Sequence, residues 1–125
     1  MKTSNDPRHK KRQDIVKILF AQSFLSQPNN NPVAKRIVEN LIKIDKVIEN
    51  IAPEFPIDKI NKVDLAILRL GIYELAIEKK EPPKVIVDES IEIAKEFGGD
   101  TSPVFINGAL GKFMKDSMEL EVKNG

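Results

Sequence analysis

Residues 62–75 read KVDLAILRLGIYEL, a stretch apolar on nearly every face, with Arg69 and Glu74 as its polar interruptions. A helix coated all round with apolar side chains is stable only when other helices surround it. The stretch therefore predicts the central helix of an all-α bundle. Asn61, with Asp64 three residues later, forms a weak capping box at its start. A charge buried in such a helix without a partner is strongly unfavourable, so Arg69 is expected to pair with a carboxylate, Glu89 or Glu74.

Working outward, Pro53 to Ile60 contains a second proline at Pro56 and reads as a turn. Before it, Val33, Ile37, Val38, Leu41, Ile42, Ile44, Ile48 and Ile51 trace the stripe of one long amphipathic helix that ends ahead of Pro53. Residues 27–32, QPNNNP, form a loop. Asp6-Pro7 supplies a cap and a first-turn proline for a helix from about Pro7 to Leu25, with Leu19 and Phe24 as anchors.

On the other side, Glu81-Pro82-Pro83 breaks the chain. Val85, Ile86, Ile91, Ala94 and Phe97 then predict a helix closed at Gly98-Gly99, where glycine supplies positive φ without strain. Ser102-Pro103 repeats the cap-plus-proline signal, and the last helix carries Val104, Phe105, Leu110, Phe113 and Met114. The polar tail at 117–125 is expected to fray. No strand is needed, although Lys84 to Val87 has strand propensity.

A chain of 125 residues with 41% apolar content fits one self-sufficient domain over 1–125. Its 20 basic and 19 acidic residues nearly cancel, so any attraction for an anionic polymer must be local. The charge is uneven where it matters: Lys2, Arg8, Lys10, Lys11 and Arg12 face Asp6 alone in the first dozen residues, and 1–7 reads as a flexible basic arm. The absence of cysteine excludes disulfides and thiolate chemistry. With no apolar leader and no run of roughly 18 apolar residues, the expectation is a soluble, cytoplasmic protein.

Catalytic chemistry has little to draw on. His9 is the one histidine and reads as a solvated arm residue with no second metal ligand nearby. Gly98-Gly99 lacks the pattern of a phosphate cradle. Asp88, Glu89 and Glu92 suit the positive end of a helix dipole better than a carboxylate pair. No catalytic residue, metal or cofactor is expected. The basic arm allows two readings, a solvated terminus or a phosphate-binding stripe of Arg8, Lys11 and Arg12 held on a helix.

Three stretches together resemble the NusB family. The basic start running into KRQDIVKILFAQ is similar to the family's arginine-rich arm and first helix. KVDLAILRLGIYEL followed by KVIVDESIEIAKEFG, residues 84–98, resembles the family's helix, turn and INEAIELAKxFG pattern. FINGALGK, residues 105–112, is similar to its FVNGVLD signature. The resemblance covers about Arg8 to Lys115 and implies a compact all-α fold in two small helical subdomains. It also implies a transcription antitermination factor that binds boxA-type single-stranded RNA with the ribosomal protein NusE, then joins other Nus factors on RNA polymerase, notably in ribosomal RNA operons.

Carried over by position, Arg8, Lys10, Lys11, Arg12 and Lys112 would contact RNA, and Phe20, Glu74 and Gly111 would face NusE. Phe105 is either near the RNA or core, and Asn107 either near the RNA or a helix-stabilising polar group. The chain departs from the family in three residues: Gly111 replaces an aspartate, Val104 a frequent lysine, and Phe20 a tyrosine. A short Asn/Pro-rich link also replaces a helix before Val33, so the N-terminal subdomain should be shortened. Two other functions remain: a protein-only helical scaffold, or a stand-alone relative of the NusB-like domain of rRNA cytosine methyltransferases.

Overall fold

The computed structural model of the chain describes residues 6–124, with side chains described as far as Val122. Lys2 and most of the expected arm lie outside the described residues. Six α-helices follow in order: α1 (Pro7–Gln22), α2 (Pro32–Glu39), α3 (Leu41–Ile51), α4 (Lys62–Ile72), α5 (Pro83–Phe97) and α6 (Ser102–Asn124). A 3-10 turn at Ile57–Lys59 precedes α4, and a π-helical segment, Tyr73–Glu78, continues it. The described residues contain no strand, and Lys84 to Val87 lie within α5.

Local chemistry accounts for the boundaries. The Asp6 carboxylate accepts the Arg8 N–H at 2.8 Å, and Asn31 accepts those of Val33 and Ala34 at 3.0 Å, each just before a first-turn proline. Asn61 caps α4 in the same way. The single long helix expected over 33–51 is instead two, because Asn40 breaks it: its side-chain amide donates to the Arg36 carbonyl at 2.7 Å and its backbone leaves the helical region. α1 closes at Gln22 rather than Leu25. α6 remains helical to Asn124, past the point where fraying was expected.

α4 is the axle. Leu65, Ala66, Ile67, Leu68, Leu70 and Ile72 are all buried, and α1, α3, α5 and α6 pack around them. One continuous apolar cluster includes Ile15, Val16 and Leu19 of α1 together with Ile106, Ala109 and Leu110 of α6. Gly71 allows α5 and α6 to approach α4 closely: a Cβ there would lie 3.3 Å from both Leu110 Cδ1 and Ser90 Oγ. Gly98 is needed for space and not for positive φ, which no described glycine adopts; a Cβ would fall 2.4 Å from Ser102 Oγ.

Arg69 pairs with neither expected partner. Its Nε and Nη2 donate to the Asp45 carboxylate of α3 at 3.0 and 2.9 Å. Glu74 and Glu89 are already engaged by the first helix.

Candidate nucleic-acid interface

The first turns of α1 have two chemically different faces. Helical periodicity sends His9, Arg12, Val16 and Leu19 inward and leaves Arg8, Lys10, Lys11 and Lys17 exposed. The inward polar pair is held by carboxylates brought from far along the chain. Arg12 makes a two-pronged contact with Glu74, Nε to Oε2 at 2.9 Å and Nη2 to Oε1 at 2.8 Å, and its Nη1 reaches Glu89 at 3.3 Å. His9 lies between two glutamates of α5, its Nδ1 3.3 Å from Glu89 and its Nε2 2.8 Å from Glu96.

His9 is thus buried, at 3% exposure, and the expectation of a solvated histidine is corrected. Glu89 is deeper still, at 1%, and contacts both side chains. Burial works against the Arg12 charge, but the hydrogen bonds and charge of Glu74, followed by the charges of Glu89 and Glu81, outweigh it and hold the guanidinium above its ordinary value. Glu74 stands at the start of the π-helical segment, where Lys79 in the left-handed region (φ 55°) donates its N–H to the Glu74 carbonyl and closes the wide turn. Beside it, Tyr73 accepts a hydrogen bond from Arg36 at 2.7 Å.

The expected site residues therefore separate. Arg12 and Glu74, read as RNA and NusE contacts, are turned toward each other with less than a tenth of either side chain exposed. Arg8, Lys10 and Lys11 are outward: Arg8 lies 3.5 Å from Glu81 and Lys10 3.7 Å from Asp14, both loose exposed pairs. A cleft of about 150 Å³ opens beside them, lined by Arg8, Lys11, Arg12, Lys80, Glu78 and Glu81 among others. Lys112 is exposed on α6, paired with Asp116 at 3.0 Å, and does not line this cleft.

Phe20 is 37% exposed and meets Phe24 edge to face, with ring centres 5.0 Å apart. Lys62 of α4 lies over the Phe24 ring and Lys17 of α1 over Phe97 of α5, giving the surface around the end of α1 a mixed aromatic and cationic character. Gly111 faces open space. Phe105 is half-buried and packs edge to face on Phe55, while Asn107 is exposed.

Sequence reasoning missed the roles of His9, Glu89 and Glu96. The available signals were the three-residue step from His9 to Arg12, which sets them on one helical face, and the seven-residue step from Glu89 to Glu96, which does the same on α5. Among the described residues, no group of side chains is arranged to hold a metal, and no helix is long and apolar enough to cross a membrane.

Fold and site together define a small all-α protein in which a buried ionic latch fixes a cationic helix start onto the bundle. The NusB family profile matches residues 11–115, and the chain belongs to the NusB family. The transcription antitermination protein NusB of Treponema denticola is 44% identical over 100 residues, covering 77% of this chain and 74% of that protein. The corresponding protein of Roseiflexus castenholzii is 32% identical, with 83% and 89% covered. Among solved structures, T. maritima NusB superposes with a TM-score of 0.76 at 33% identity, covering 92% of this chain and 93% of its own. A chain from the structure of antitermination factors NusB and NusE in complex with dsRNA gives 0.76 at 20% identity, with 89% and 99% covered, and shares the fold.

Proposed function

We propose that the chain is a cytoplasmic transcription antitermination factor without catalytic activity. In this reading it binds boxA-type single-stranded RNA together with NusE and acts with other Nus factors on RNA polymerase at ribosomal RNA operons. The observation that carries the RNA part is the exposed stripe of Arg8, Lys10 and Lys11 on a helix whose opposite face is latched by His9 and Arg12. Cations held on a fixed helix bind phosphate with less ordering cost than a free terminus would. Arg12 and Glu74 support that geometry from beneath, while Phe20 and Gly111 are exposed for a protein partner.

The test is a titration of boxA-type RNA, with and without NusE, at two salt concentrations. Each phosphate contact on a single strand contributes a slope of about 0.7 in log affinity against log salt. The Lys10→Ala, Lys11→Ala double variant should therefore bind more weakly, with a flatter slope. An unchanged slope would leave the protein-only scaffold as the better reading.

A further inference from the structure

The polar latch beneath α1 sets a requirement on protons. His9 is buried, and both of its ring nitrogens face carboxylates of α5: Nδ1 lies 3.3 Å from Oε1 of Glu89 and Nε2 2.8 Å from Oε1 of Glu96. A neutral imidazole carries one N–H and one lone pair, whereas an ionised carboxylate only accepts. A neutral ring would therefore donate to one glutamate and turn a lone pair against the other. Each of the two oxygens also has a second donor, Nη1 of Arg12 on Glu89 and Nε2 of Gln13 on Glu96, both at 3.3 Å. Both oxygens are thus placed as acceptors.

We propose that His9 is seated as the imidazolium, donating one N–H to each glutamate, and that this proton operates the latch. The start of α1 stays down while the ring is charged and lifts when the proton leaves for water.

The charges around the ring select the same state. Among the described residues they are Glu89 and Glu96 of α5, Arg12 of its own helix and, across Arg12, Glu74 of the π-helical segment. From α4, Arg69 turns to Asp45 and Asp64 to Ser102 instead. With an imidazolium, two cations meet three carboxylates; with a neutral ring, Arg12 alone would face all three in a place with little water to screen them. Histidine is the side chain that ordinarily changes charge between about pH 5 and about pH 8, a range in which Arg12 stays charged. The seated helix holds the extra proton and the lifted one gives it up, so the fastening is present at the acid end of that range and is lost as pH rises. Lifting frees the stretch that displays Arg8, Lys10 and Lys11, which makes His9 a positioning residue for the exposed cations. The inference concerns the free chain and stands whether or not RNA is what those cations bind.

His9 is the one histidine of the chain, so its ring gives an unambiguous signal in nitrogen NMR of the whole protein. At about pH 5 both ring nitrogens should read as protonated. Hydrogen exchange, corrected for its intrinsic dependence on pH, should show the protection of amides 12–16 falling at least about tenfold relative to that of α4 between about pH 5 and about pH 8. His9→Arg keeps a charge that does not titrate and should remove most of that fall. An unprotonated ring nitrogen in a helix whose amides are still protected would overturn the proposal. So would protection that does not change with pH, or a fall that His9→Arg leaves intact.

Discussion

Arg12 and Glu74 meet through two hydrogen bonds of 2.8 and 2.9 Å with both side chains nearly buried. Removing one member of such a pair strands the other charge in a poor dielectric. Glu74→Ala should therefore lower the unfolding free energy by about 3 kcal/mol, whereas Lys11→Ala should change it by less than about 0.5 kcal/mol; urea denaturation separates the two. Asp64 gives a residue-scale prediction in pH. Burial raises its carboxyl above the ordinary value of 3.8, with a hydrogen bond from Ser102 opposing. A raised folded-state value means that the proton is held more tightly after folding. Its stabilising contribution is complete below 3.8 and is lost as pH rises through the raised value. Asp64→Asn should thus melt above the parent at neutral pH, and the gap should close in acid.

At the scale of elements, the helices were largely legible because their caps are local: Asp6 and Asn61 each bond to the N–H groups that follow them, as does Asn31, inside a stretch that reads only as a loop. What periodicity could not show was interruption without change of stripe. Asn40 divides α2 from α3 while Ile37, Ile44 and Ile48 remain on the core, so the apolar pattern runs through the break. The π-helical segment was hidden for a similar reason, since YELAIE contains no breaker. Asn31→Ala should cost about 1 kcal/mol, through the loss of two accepted N–H bonds at the start of α2. Gly98→Ala should cost more, about 1 to 3 kcal/mol, because its Cβ would overlap Ser102 at the α5–α6 junction. Thermal melts of the two variants give the order.

Across the whole molecule, the exposed half of the candidate site could be read from charge clustering alone, as Arg8, Lys10 and Lys11 show. The buried half could not. Nothing local to His9 announces that Glu89 and Glu96 will close on it, and nothing local to Arg69 selects Asp45 over Glu89. Those choices follow from how α1, α3 and α5 are disposed around α4, a property of the assembled bundle. Such a division implies a separation of effects. Exposed lysine variants should alter RNA affinity and its salt dependence with an unchanged melting curve, while Glu89→Ala should lower the melting temperature first. RNA titration paired with calorimetry on the same samples checks that order.

The latch on α1 also fixes a sequence of events in time. His9 must wait for a carboxylate 87 residues further along, and Arg12 for one 62 residues on. A chain made from its N-terminus exposes the cationic helix start long before its counter-charges have been synthesised. Seating of that helix therefore waits until most of the chain has been made, and a chain interrupted before Glu74 would carry the arm's charges without any of the carboxylates that fix them.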